Sequence, residues 1–162
     1  MGADVDTRVR VGSVELLHAV MTASGTSGHG AELADYFDLS SIGAVVVKSL
    51  SVMPWAGNRA PRLHPVREGM INAVGLQGPG VDGWFAESLP DLAASGARVV
   101  ISIWGRTVSE YAAAATAVAR GLERADGRGD CVVAVEINLS CPNLEGRRGI
   151  FAHDAEMSAD VV

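Results

Sequence analysis

VVAVEINLSCPN, residues 132–143, splits into a β-branched run and a polar loop. The run, Val132–Asn138, has the length and composition of a buried strand. In the loop, Pro142 biases Cys141 toward extended backbone, which carries the chain to a rim rather than into a helix. Two runs of the same kind lie upstream, Ala44–Lys48 (AVVVK) and Arg98–Ile103 (RVVISI). A weaker one, Ala19–Ala23 (AVMTA), precedes SGTSG. Helical stretches are expected between them at Gly30–Phe37, Val81–Ser95 and Thr107–Ala125. The last opens on Thr107-Val-Ser-Glu110, a capping box ahead of an alanine-rich run. Pro90 points to a break of the middle helix into two short pieces. Residues 5–16 alternate like a small hairpin capping the bottom of the sheet. Residues 50–80 form a long connection punctuated by Pro and Gly, of a length usually tied to function.

Strands alternating with helices predict an α/β fold with a parallel sheet. Four βα units suit a doubly wound sheet, or half of a (β/α)8 barrel, which needs about 250 residues. The chain has 162 residues and closes on AEMSADVV, which reads as the opening of a helix. We therefore expect a fragment of one domain.

Composition narrows the function classes. With 48% hydrophobic and 20% charged residues, the chain has ample material for a core. A net charge of −6 argues against a nucleic-acid partner, whose footprint is basic. No apolar run approaches the ~18 residues of a membrane span. The N-terminus lacks the basic-then-apolar layout of a leader, so a cytoplasmic location is expected. Cys131 and Cys141 flank the last strand, which at roughly 3.3 Å per residue holds them too far apart for a disulfide. The four histidines are scattered, and no metal-ligand spacing is present.

Ligands of parallel α/β folds bind at the carboxyl ends of the strands. Those ends carry Ser24-Gly25-Thr26, Lys48-Ser49, Trp104-Gly105-Arg106 and Asn138-Leu-Ser-Cys-Pro-Asn143. Nearly every cation is arginine, which sets Lys48 apart. GTSGHG and GLQGPG have the wrong order for a dinucleotide fingerprint and read as plain turns. Cys131 reads as a small buried hydrophobe. His29 and His64 read as polar surface or loop residues.

EINLSCPN (Glu136–Asn143) resembles the active-site strand and loop of the dihydroorotate dehydrogenases, flavin-dependent (β/α)8 enzymes of pyrimidine biosynthesis. The likeness continues in collinear order through TASGTSGHG (Thr22–Gly30), VVVKSLS (Val45–Ser51), GNRAPR (Gly57–Arg62) and MINAVGLQGPG (Met70–Gly80). Cysteine rather than serine at position 141, with a barrel that begins almost at once, is similar to the soluble class 1. NAVGLQGPG is most similar to class 1B, whose members pair with an electron-transfer subunit carrying FAD and an iron–sulfur cluster and use NAD.

The resemblance implies a (β/α)8 TIM barrel, of which residues 1–162 supply about the first four β/α units. It implies FMN as cofactor, contacted by Ser24, Gly25, Lys48, Ser49, Ser102 and Asn138, and no metal. Dihydroorotate would be held by Lys48, Asn72, Asn138 and Asn143, with the backbone of Ala73, Val74, Gly75 and Leu76 beneath it. Cys141 would be the base, and a homodimer with the electron-transfer subunit is the implied assembly. The chemistry agrees: forming orotate removes a proton from C5 and a hydride from C6. A thiol with an ordinary pKa of about 8.5 is a competent base once partly ionised. A carboxamide both donates and accepts, as a pyrimidine edge requires. Ser102 departs from the family, which often has Asn facing the flavin there. The family's phosphate-binding loops lie outside these residues, so this stretch alone is expected to bind FMN weakly or not at all. Two readings stay open beside this one. A flavoprotein of the dihydropyrimidine dehydrogenase type acts on bases without a carboxylate, and an inactive half barrel would self-associate through open sheet edges.

Overall fold

The computed structural model of the chain describes residues 5–142 and 150–162. Two short strands, β1 (Val9–Val11) and β2 (Val14–Leu16), form the expected hairpin, with Gly12 in the left-handed region at its turn. The central sheet joins β3 (Val45–Val46), β6 (Val99–Ile103) and β7 (Val132–Ile137), all parallel. The weak run at 19–23 contributes only a parallel bridge, Met21 to Ala44, and is not a strand. Val20 and Met21 are exposed, so no packing rewards a longer ladder there. Neighbours thus follow chain order, from Met21 through β3 and β6 to β7, as around a barrel wall and without the reversal of a doubly wound sheet.

Period-2 alternation assigns the two faces. Val45, Val47, Val99, Ile101 and Ile103 pack against the helices in the main core. Ala44, Val46 and Val100 face the other way and are covered by Leu16, Val9 and Val14 of the hairpin, which closes the bottom. The helical layer consists of α1 (Gly80–Glu87), α2 (Leu89–Ala94) and α3 (Val108–Glu123), with α4 (Ala155–Val161) following the last strand. Pro90 does divide the middle helix: it sits in the first turn of α2, where its missing N–H costs nothing. Thr107 caps α3 as expected, accepting from Glu110 N at 3.2 Å. The carboxylate of Glu110 turns instead to Arg106 N, at 2.6 Å.

Two expectations are corrected. Gly30–Phe37 is not an α-helix but a four-residue 3-10 turn, Glu32–Asp35. Glu32 folds back onto the N–H groups of His29 and Gly30, at 3.2 and 2.8 Å, and Asp38 then caps a new turn at Leu39–Ser41. The 50–80 connection is not structureless either. It carries an antiparallel hairpin, β4 (Leu63–Val66) and β5 (Gly69–Asn72). Pro65 is tolerated because β4 is an edge strand.

Candidate active site

The ladder that β3 forms with β6 breaks where Lys48 stands. Val47 N donates to Val100 O at 3.1 Å, and the next bond to β6 runs from Leu50 N to Ser102 O at 2.8 Å. One residue more than regular pairing requires is therefore accommodated over Lys48–Ser49, a bulge of the kind that re-aims side chains beside sites. This is why the expected strand to Lys48 stops at Val46. The Lys48 N–H turns sideways to Gly28 O at 2.9 Å, binding the bulge to the TSGHG loop. A Cβ at Gly25 would lie 3.9 Å from both Cγ and Nζ of Lys48, so the first loop passes directly over the lysine.

Beneath that rim lies a chain of polar side chains. Ser24 Oγ is 3.1 Å from Ser49 Oγ, which is 2.8 Å from Ser102 Oγ. Ser102 donates to Glu136 Oε1 at 2.7 Å, and Asn138 Nδ2 donates to Ser49 at 2.8 Å. Ser49 is 1% exposed and Ser102 0%, so their partners are in the protein and not in solvent. Tyr111 holds the end of β7 by donating its hydroxyl to Asn138 O at 2.5 Å. Because β3, β6 and β7 are parallel, Lys48, Ser49, Asn138 and Cys141 all follow strands at the same edge.

The long connection is fastened over this edge by its own side chains. Trp55 Nε1 donates to Gly75 O at 2.8 Å, and Asn58 Nδ2 to Ala73 O at 2.9 Å. Arg62 donates to Ala56 O and to the Gln77 side chain. Gly75 has φ +74°, and a Cβ there would strike the Asn58 carboxamide at 2.6 Å, so only glycine fits. Arg106 lies 4.3 Å above the Trp55 ring and 5.5 Å from that of Trp104, joining the loop after β6 to this connection. Together these segments border an open cavity of about 510 Å³ lined by His29, Lys48, Trp55, Val74, Gln77, Gly78 and Pro79.

The structure thus brings Ser24, Gly25, Lys48, Ser49, Ser102 and Asn138 together, and Val74 with Lys48. Asn72 ends β5 opposite Leu63 and borders a separate depression of about 180 Å³. Cys141 is half-buried just past β7, and both cysteines are free thiols. Asn143 lies outside the described residues. His29, read as a surface or loop residue, does lie in a loop but is half-buried against the cavity, its Nε2 without a partner among the described residues. Burial first, and the Lys48 charge second, push its pKa down, with Glu32 opposing. Glu136 was also missed, although a lone acid two residues before Asn138 in an apolar strand shares its face by period 2. Arg106 was legible at the rim as part of Trp104-Gly105-Arg106, but Trp55 was not, and their meeting is a long-range contact that no local pattern signals. Among the described residues no cluster of His, Cys, Asp and Glu could hold a metal ion. None of their helices is long and apolar enough to cross a membrane.

A parallel sheet in sequential order, helices on one face and polar groups at the carboxyl edge define a partial α/β fold of the barrel class. The sequence matches the dihydroorotate dehydrogenase family over residues 7–162, and the chain belongs to that family. It is 39% identical to the catalytic subunit of dihydroorotate dehydrogenase B (NAD(+)) of Geotalea daltonii over 99% of this chain and 50% of that protein. Identity to the protein of the same name from Desulforudis audaxviator is 43%, over 98% of this chain and 49% of the relative. The chain therefore spans about half the length of the curated relatives it matches. Among solved structures, the dihydroorotate dehydrogenase of Eimeria tenella in complex with ferulenol superposes with a TM-score of 0.63. Identity there is 18%, covering 87% of this chain and 38% of the other, a likeness of fold.

Proposed function

We propose that the full-length protein oxidises dihydroorotate to orotate in the de novo synthesis of pyrimidines. In this reading residues 1–162 supply the N-terminal half of one FMN-binding (β/α)8 barrel, about its first four β/α units. The observation that carries it is Lys48: a cation on a bulge, beside a 510 Å³ cavity, with no carboxylate within ion-pair distance among the described residues. An ammonium without a carboxylate partner among the described residues, lining one cavity with the Gln77 carboxamide, suits an anionic, hydrogen-bonding ligand. Both the substrate carboxylate and an FMN ring fit that donor set. FMN, when bound, supplies the acceptor for the C6 hydride.

The chain's own residues do the rest. Cys141 removes the C5 proton as thiolate, and nothing among the described residues hydrogen-bonds its thiol. Lys48 binds the carboxylate and lies against the cofactor. Asn72, Asn138 and Asn143 hold the pyrimidine edge, with Ala73, Val74, Gly75 and Leu76 as its floor. Ser24, Gly25 and Asn138 line the cofactor side, and the buried Ser49 and Ser102 support them from below. The relatives are named as catalytic subunits of an NAD-linked enzyme, which supports a partner subunit; in this reading the partner carries FAD and an iron–sulfur cluster and the chain itself forms a homodimer. A cytoplasmic location belongs to the same reading.

The test is turnover by the purified full-length protein of dihydroorotate beside dihydrouracil. Activity confined to dihydroorotate is expected. A preference for dihydrouracil would overturn the assignment in favour of an enzyme acting on pyrimidines without a carboxylate.

A further inference from the structure

Counting hydrogens around Ser49 leaves a single arrangement. A carboxylate only accepts, so the contact at 2.7 Å takes the hydroxyl proton of Ser102 to Glu136. Ser102 then has no proton for Ser49, and across their 2.8 Å contact it is Ser49 that donates. With its own proton committed, Ser49 accepts from both Ser24 and Asn138, filling its two lone pairs. Asn138 is fixed from its other side as well, because Oδ1 accepts from Ser140 N at 3.2 Å. Turning the carboxamide over would set Oδ1 against a Ser49 oxygen with no proton between them, and Nδ2 against a backbone N–H. Water cannot repair such a mismatch at Ser49 and Ser102, which are sealed from solvent. The second Nδ2 hydrogen of Asn138 has no partner among the described residues.

We propose that Glu136, acting through Ser102 and Ser49, is a positioning residue that fixes the Asn138 carboxamide with one N–H offered at the rim as a donor to an oxygen of the bound pyrimidine. Ser102 is then a link in this chain and not a surface for the flavin. The orientation of Asn138 follows from the hydrogen bonds alone; its use toward a pyrimidine rests on the function proposed above. The requirement at position 136 is an acceptor, not a charge. Glutamine, whose amide oxygen accepts from Ser102, therefore preserves the arrangement, whereas alanine frees the Ser102 proton to turn back to Ser49 and release Asn138.

Two readouts on the full-length protein test this: hydrogen exchange of the Asn138 side-chain amide followed by NMR, and orotate affinity by equilibrium titration. Glu136→Ala and Ser102→Ala should each speed exchange and weaken orotate about threefold or more, the scale of one modest hydrogen bond. Glu136→Gln should stay within about twofold of the parent on both readouts, a difference too small for a lost hydrogen bond. In an Asn138→Ala background, Glu136→Ala should weaken orotate no further, since its effect passes through the missing group. Equal damage from Glu136→Gln and Glu136→Ala overturns the proposal, as does additivity in the double variant or unchanged exchange in both alanine variants. Should Glu136→Ala fail to fold, Ser102→Ala with Glu136→Gln makes the same comparison. Should the parent protein not bind orotate, the exchange measurement still decides the orientation, and it is the proposed function that falls.

Discussion

Trp84→Phe is expected to destabilise the protein by about 2–4 kcal/mol, the sum of a broken hydrogen bond and a void. The indole of Trp84 is 0% exposed and meets Phe85 edge-on, with ring centroids 5.1 Å apart. Its Nε1 donates to His29 O at 2.6 Å, tying α1 to the loop that passes over Lys48. Phenylalanine keeps one ring and loses the donor, which strands the His29 carbonyl at a cost of about 1–3 kcal/mol. The missing part of the indole leaves a void worth about 1 kcal/mol more. With a urea slope of about 2 kcal/mol per molar, the midpoint should fall by about 1–2 M. The assay is urea unfolding followed by far-ultraviolet circular dichroism, with Trp84→Ala as the larger perturbation. A shift below about 0.2 M for Trp84→Phe would refute the reasoning, since no hydrogen bond of consequence would then join helix and loop.

Three further outcomes are expected. Gly80 has φ +76°, and a Cβ there would lie 2.7 Å from the backbone of Met53 and Pro54; Gly80→Ala should lower Tm by about 5 °C or more, and an unchanged Tm would contradict the close approach. Because burial and Lys48 lower the pKa of His29, the unfolded chain takes up that proton first on acidification, and stability falls as the pH drops below the ordinary value of about 6.5. The loss of Tm between pH 7.5 and 5.5 should be smaller in His29→Gln, and an equal loss would remove His29 as its source. Lys48→Ala should reduce flavin reduction and raise the KM for dihydroorotate together, whereas unchanged kinetics would leave Lys48 as a strand-end residue only.

What could be read from the sequence is what short-range physics decides. The runs at 98–103 and 132–138 became β6 and β7 because both are β-branched, but only β6 is buried throughout; β7, expected as a buried strand, is half-buried with Val135 exposed. Thr107 and Pro90 marked helix boundaries through their own backbone chemistry. The run at 19–23 failed because its apolar side chains find no cover. The hairpin Leu63–Asn72 was obscured by Pro65, and its turn, Arg67-Glu68, carries none of the Asn-Gly or Asp-Gly chemistry that announces a two-residue hairpin. Of the site, the rim loops were legible from the rule that parallel sheets bind at their carboxyl ends. The bulge at Lys48–Ser49, the inward turn of His29 and the Trp55–Arg106–Trp104 stack depend on segments distant in sequence meeting. No local pattern encodes them.

The central claim, a thiol base at this rim, is tested most directly by the turnover of dihydroorotate at saturating substrate in full-length protein carrying Cys141→Ala, beside Cys131→Ala. Cys131 donates to Arg128 O and its thiol pKa is pushed up by burial, so it serves as the control. The account predicts that Cys141→Ala loses about 10²–10⁴-fold in turnover, the usual contribution of a general base, while orotate binding and FMN content persist. Cys131→Ala should turn over at nearly the parent rate. Near-parent turnover in Cys141→Ala, or a comparable loss in Cys131→Ala, would contradict it.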